Sequence, residues 1–241
     1  MTSAPKGHTV RSYDEELNQL NNYISEMGGL AETQLASALD ALAKRNSELA
    51  AQVIVQDEAI DKIEARVDEA AVELLALRQP MADDLRQVLA SLKIAQILER
   101  VGDYAANVAK RATVLNQLPQ VEPARSVPRM GRLVEQMIHE VLDAYARRDA
   151  EAALAVWHRD EGVDSLYDSV FRELLTYMME DPRNITACTH LLFIAKNIER
   201  IGDYTTNVAE IIYFLVKGVP LTETRPKADT TSFTVVNPPA S

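Results

Sequence analysis

The chain has 241 residues and a formal net charge of −11, with 36 acidic against 25 basic side chains. It carries 8 glycines, 5% aromatic and 47% apolar residues, a composition of helices rather than strands with enough apolar surface for a sizeable core. No Lys/Arg run marks a basic face, so no nucleic-acid partner is expected.

One cysteine, Cys188, sits in the apolar stretch ITACTHLLFIA and reads as a buried, inert thiol. With no partner in the chain it needs no oxidising compartment. The opening MTSAPKGHTVRSYDEE lacks the apolar centre of a signal peptide, and no run reaches the ~18 apolar residues of a membrane span. The expected location is therefore cytoplasmic.

In chain order, the pattern predicts helices over 12–45, 48–78, 82–117, 126–147, 150–180 and 183–217. The second is marked by Val53, Ile60, Val67 and Leu74, with Ile63 and Ala70 between them. Asn46 and Asp149 stand where N-caps are needed. Pro80 separates the second helix from the third. Pro119, Pro123 and Pro128 mark a linker. Asp181-Pro182 reads as a cap followed by proline at the first helical position. Gly218 and Pro220 stop the last helix. Residues 1–11 and 219–241 read as flexible tails.

The chain is one unit used twice. Residues 99–109, ERVGDYAANVA, match 199–209, ERIGDYTTNVA, at eight of eleven positions. Asp57-Glu58-x-x-Asp61 matches Asp160-Glu161-x-x-Asp164, Leu39-Asp40-Ala41 matches Leu142-Asp143-Ala144, and Met27-Gly28 matches Met130-Gly131, all at an offset of 103. The expected fold is all-α: a tandem repeat of two antiparallel three-helix bundles, residues 12–118 and 126–218.

Each unit carries two acidic pairs at i,i+4 spacing, which places both acids on one helix face. They are Asp57/Asp61 and Glu99/Asp103 in the first unit, Asp160/Asp164 and Glu199/Asp203 in the second. Asp61 lies 19 residues before Pro80 and Glu99 lies 19 after; Asp57 lies 23 before and Asp103 lies 23 after. In an antiparallel hairpin, equal counts mean equal height. The second unit agrees within about one residue, counted from Pro182.

The third helices lead an apolar seam into the acids: Leu85, Val88, Leu92 and Ala95 to Glu99, and Leu192 and Ala195 to Glu199. Four carboxylates converging there either take up protons or hold a multivalent cation. An all-oxygen site suits Mg, Ca, Mn or oxidised iron better than structural Zn. Asn107 and Asn207, four residues past Asp103 and Asp203, could each add an amide oxygen. Glu32 and Glu135 are weaker candidates on the first helices. The alternative is a set of solvated faces neutralised by Lys62, Arg100 and Arg200.

These segments resemble the PhoU family. The resemblance covers about residues 8–218 and rests on MGGLAETQLASAL, on Arg78-Gln79-Pro80 with Asp84-Leu85-Arg86, on both ERxGDY segments, and on Asn207-Val208-Ala209-Glu210. It implies metal sites at the E/D-xxx-D pairs, hence at Asp57, Asp61, Glu99, Asp103, Asp160, Asp164, Glu199 and Asp203. Family members are described with iron clusters, and with zinc and other divalent ions. It also implies a cytoplasmic accessory protein of the phosphate ABC transporter. Such proteins dampen the phosphate-starvation response by coupling the transporter, through its ATPase subunit, to a membrane sensor histidine kinase. The exposed faces of two flat bundles offer surface for a homodimer.

Two other classes stand beside this one. A carboxylate-bridged iron enzyme would use Glu-x-x-His motifs, and none occurs among His8, His139, His158 and His190. No G-x-S-x-G or Walker A loop occurs either, so no enzyme is expected. A metal-free helical interaction platform would need no convergence of the acids. Anion binding or partner binding by Arg78 and Arg86 is set against ordinary helix-end pairing, which is the expectation. Tyr104, Tyr204, Tyr167, Tyr177 and Trp157 are expected in the core.

Overall fold

The computed structural model describes residues 6–122, 126–225, 229 and 231, with side chains from Tyr13 onward. Among these residues the secondary structure is helical: α1 (Lys6–Ala43), α2 (Ser47–Arg78), α3 (Asp83–Leu115), α4 (Val127–Arg147), α5 (Ala150–Trp157), α6 (Asp160–Glu180) and α7 (Ile185–Lys217). The first three form one bundle; α4, the broken α5–α6 rod and α7 form the second.

Local chemistry sets most of the boundaries. Asn46 Oδ1 accepts from Leu49 N–H at 3.0 Å and starts α2. Asp149 Oδ1 accepts from Glu151 and Ala152 N–H at 3.1 and 3.0 Å and starts α5. Gly218 ends α7 at φ 73°, its N–H bonded to Phe214 O. Asp181 caps a single 3₁₀ turn, Pro182–Asn184, and α7 begins only after it.

Two expectations about extent are corrected. The rod predicted over 150–180 is interrupted at His158 and Arg159. There Arg159 N–H bonds Val156 O and Gly162 N–H bonds Arg159 O, each at 3.0 Å, a tighter i→i+3 pattern. Gly162 stands where the first unit has Ala59, and glycine gives up about 1 kcal/mol of helix propensity, which favours a break here. At the N-terminus, residues 6–11 belong to α1 rather than to a tail.

The tail expected from 219 onward also has a described part. Leu221 packs against the core and Arg225 bonds to both α6 and α7. Residues 1–5, 226–228, 230 and 232–241 of the expected tails lie outside the described residues, as does Pro123 of the linker.

One continuous apolar cluster runs through both bundles. α3 packs on α7 and α1 packs on α4. At the α1–α4 crossing, a Cβ on Gly28 would collide with Leu142, and one on Gly131 would collide with Leu39. The two contacts are the same contact seen from each repeat. At the α3–α7 crossing, the Tyr104 and Tyr204 rings stack with centroids 5.9 Å apart. These reciprocal contacts between matched positions relate the halves by a pseudo-twofold axis.

Candidate functional site

The first cluster lies between α2 and α3. Gly102 lets the two helices approach: a Cβ there would meet Ile60 Cδ1 at 2.8 Å, Asp57 Oδ1 at 3.1 Å and Gln34 Oε1 at 3.2 Å. The acids counted as level do face each other. Burial pushes the Asp57 carboxyl above its ordinary value; a hydrogen bond from Gln34 opposes this, and the charges of Asp103 and Asp61 add to it. Burial also raises Glu99, with Asp103 reinforcing, Arg100 opposing, and Glu64 and Asp61 adding further. Each helix thus feels the carboxylates of the other. The ion pairs made by Arg100, to Glu99 and to Asp103 at 3.5 Å each, both lie within α3.

Two residues of this cluster were missed. Glu64 is raised by burial and then by Asp68 and Asp61. It lies three residues past Asp61 and seven past Asp57, so helical spacing alone could have found it. Gln34, from α1, is 2% exposed. Its Nε2 donates to Asp57 Oδ1 at 3.0 Å and to Val53 O at 3.3 Å, while its Oε1 is buried with no donor among the described residues. Nothing in a lone glutamine signals this. Asn107 continues the Asp103 face of α3 and is partly buried.

The second cluster is more deeply buried, with Asp160 1%, Asp164 2% and Glu199 4% exposed. It contains cations of its own. Arg225 Nε lies 2.8 Å from Asp160 Oδ2, and its Nη2 pairs with Asp203 Oδ1. Its Nη1 donates to Thr206 Oγ1 at 2.6 Å, to Asn207 Oδ1 at 3.2 Å and to Asp203 O at 3.3 Å. One guanidinium bridges α6 and α7 at the level where Asp160 was expected to meet Asp203. One turn away, Lys196 Nζ lies 2.9 Å from Glu199 Oε2 and 3.3 Å from Asp229 Oδ2, and Asp229 N–H donates to Asp164 Oδ2 at 3.3 Å. Burial pulls the Lys196 ammonium down, but its bond to Glu199 together with the charges of Glu199, Tyr167 and Asp229 holds it above the ordinary lysine value. Lys196 also sits 4.7 Å over the Tyr167 ring. Lys196, three residues before Glu199 on α7, was open to the same helical spacing as Glu64, whereas Arg225 and Asp229 lie beyond the last helix where no periodicity or repeat marks them.

The weaker candidates do not join these groups. Glu32 and Glu135 meet at the α1–α4 crossing, where burial raises Glu135 and Glu32 and Asp40 add to it. His139 Nδ1 lies 3.0 Å from Glu32 Oε1, away from the second cluster. Arg78 clamps Glu16 through two bonds of 3.0 and 2.6 Å, and Arg86 pairs with Asp83. Trp157 is buried and donates to Glu210 Oε1 at 2.8 Å. Cys188 is buried, and burial raises its thiol.

Among the described residues, no group of three or more His, Cys, Asp or Glu side chains is gathered closely enough, as oriented, to hold a metal ion. The first cluster nevertheless fits a hard cation in donor type and charge. Its donors are all oxygen, its carboxylates repel one another, and the Gln34 acceptor beside them has no donor among the described residues. Rotamer changes of the acids would be needed to converge them. In the second cluster Arg225 already pairs with Asp160 and Asp203, and Lys196 with Glu199. Among the described residues no helix is long and apolar enough to cross a membrane.

Comparison with known proteins places the repeats. The family model of the PhoU domain matches residues 24–112 and 127–212. A phosphate-specific transport system accessory protein PhoU homolog of Caulobacter vibrioides is 52% identical over 226 residues, 93% of this chain and 98% of that one. The homolog of Zymomonas mobilis is 50% identical over 217 residues, 90% of this chain and 92% of that one. The crystal structure of PhoU from Pseudomonas aeruginosa superposes with a TM-score of 0.84 at 41% identity, covering 86% of this chain and all 100% of that one. That of the phosphate transport system regulatory protein PhoU from Streptococcus pneumoniae gives 0.79 at 30% identity, covering 88% and 100%.

Proposed function

The chain belongs to the PhoU family, and on that premise we propose that it is a cytoplasmic regulator of phosphate uptake and a negative regulator of the phosphate-starvation response. Its relatives are named as accessory proteins of the phosphate-specific transport system, so its role is regulatory rather than enzymatic. In this reading it couples the ATPase subunit of the phosphate ABC transporter to a sensor histidine kinase, and it works as a homodimer.

The clusters add a cation-binding function. The observation that carries it is the first cluster. There α2 and α3 bring Asp57, Asp61, Glu64, Glu99 and Asp103 within range of each other's charge, while the ion pairs of Arg100 stay within α3. These carboxylates would hold a hard ion, iron by family likeness, or Mn, Mg, Ca or Zn. A bound ion would neutralise the cluster and cross-link the two helices. Asp57 and Glu99 would do the binding from opposite helices, and Gln34 would orient Asp57.

The test is elemental analysis of protein purified without chelator, beside Asp103→Ala, with helicity followed by circular dichroism. Metal content should fall in the variant while helicity stays. Less than about one tenth of a metal equivalent per wild-type chain would favour a metal-free platform instead. That second reading draws support from Arg225, which already pairs with two acids of the other cluster.

A further inference from the structure

The two acid clusters are repeats in sequence but not in their surroundings. Across α2 and α3 the first presents carboxylates to carboxylates. Across α6 and α7 the second is bridged by an arginine that comes from beyond the last helix. We propose that the second cluster is a binding site for an arginine side chain, filled by the chain's own Arg225, so that a multivalent cation can enter only by displacing the C-terminal strap that carries it. The displacement part of this proposal rests on the reading that these clusters bind cations.

The strap is built for that placement. Gly218, at φ 73°, turns the chain back on α7, with the Arg86 guanidinium 3.6 Å from where a Cβ would stand. Leu221 then anchors against the core. From Gly218 back to Asp203 is 15 residues of helix, about 22 Å. From Gly218 forward to Arg225 is 7 residues, about 24 Å when extended. The strap is therefore long enough to bring Arg225 level with the cluster. At its end Arg225 is 13% exposed and makes contacts to Asp160, Asp203, Thr206 and Asn207. Past it, Asp229 N–H reaches Asp164 and Asp229 Oδ2 reaches Lys196.

The surroundings differ to match. Glu64 of the first cluster corresponds at offset 103 to Tyr167, and Gln96 corresponds at offset 100 to Lys196. At these matched positions the second cluster has one acid fewer and one ammonium more than the first, while Asp229 adds a carboxylate from beyond the repeat. Arg225 pairs with Asp160 and Asp203, and Lys196 with Glu199, which lowers the cost of burying these carboxylates without metal. A guanidinium also suits this position, since its planar fork spans two carboxylates and an amide at once, which a lysine ammonium cannot do in the same geometry.

The experiment measures Mn²⁺ bound to the full chain by the loss of the free-ion paramagnetic resonance signal. It compares wild type, Arg225→Ala, Arg225→Lys and a deletion of residues 222 and 223, which shortens the strap without touching Arg225. Arg225→Ala and the deletion should each bind Mn²⁺ at the second cluster about tenfold more tightly than wild type, with Arg225→Lys between them. Adding Asp203→Ala to Arg225→Ala should abolish the gain. An Arg225→Ala isotherm that superposes on wild type, while Asp57→Ala loses Mn²⁺, overturns the strap and leaves the first cluster's reading intact. No Mn²⁺ on any form overturns both.

Discussion

At the scale of the residue, the sharpest difference between the repeats is at their matched glycines. Gly102 and Gly202 occupy the same place in ERxGDY, but their neighbours differ. At Gly102 an added methyl would press on Ile60 at 2.8 Å and on the Asp57 carboxylate at 3.1 Å; at Gly202 the nearest atom, on Val163, is 3.2 Å away. Alanine gains about 1 kcal/mol of helix propensity at either site, while overpacking costs about 1–3 kcal/mol. Gly102→Ala is therefore expected to destabilise by about 1–2 kcal/mol and Gly202→Ala to be near neutral in urea unfolding. Equal effects would mean that the α2–α3 approach does not depend on the missing side chain. The carboxylate beside Gly102 gives a pH test. The folded state holds Asp57 above its ordinary value of 3.8, chiefly through burial, so this group favours folding below that value and opposes it once ionised at higher pH. In metal-free protein, Asp57→Asn should raise the melting temperature at pH 7, and the advantage should shrink as pH falls towards 3.8. A gain that persists undiminished in acid would assign the effect to something other than ionisation.

At the scale of the element, the second repeat depends more on its cap than the first. Asn46 satisfies one amide at the start of the 32-residue α2, whereas Asp149 satisfies two at the start of the 8-residue α5. A short helix cannot spread the loss of a cap over many turns. Asp149→Ala is expected to cost about 1–2 kcal/mol and Asn46→Ala about 0.5–1 kcal/mol in denaturant unfolding. The reverse order would show that α5 is held by packing of Trp157 and not by its end. The same elements show how far local signals carry. Asn46, Asp149 and Gly218 end or begin helices where the sequence places them, because a cap satisfies its own backbone within a few residues. The break at His158 and Arg159 was not legible, because an apolar rhythm continues across it and only Gly162 hints at weakness.

At the scale of the molecule, the halves lock through reciprocal contacts. Gly131 receives Leu39, which is buried, and Gly28 receives Leu142, which is only partly buried and freer to move. Gly131→Ala should therefore destabilise by about 1–3 kcal/mol and Gly28→Ala by less. Combining Gly131→Ala with Leu39→Ala should show a coupling of at least about 0.5 kcal/mol. Strict additivity would place Leu39 out of contact with α4. Since one apolar cluster runs through both bundles, all of these variants should unfold in a single transition.

The order of helices, the doubling, and the helix faces that carry the acids were determined by the sequence alone. Each depends on spacing along a regular rod, and 3.6 residues per turn convert counts directly into faces and heights. The occupancy of the acid clusters was decided by the tertiary structure. Gln34 reaches Asp57 from another helix, and Arg225 reaches Asp160 and Asp203 from a strap without periodicity. A charge carried in from an irregular segment follows no repeat, so its position is set by where the folded chain lets it lie.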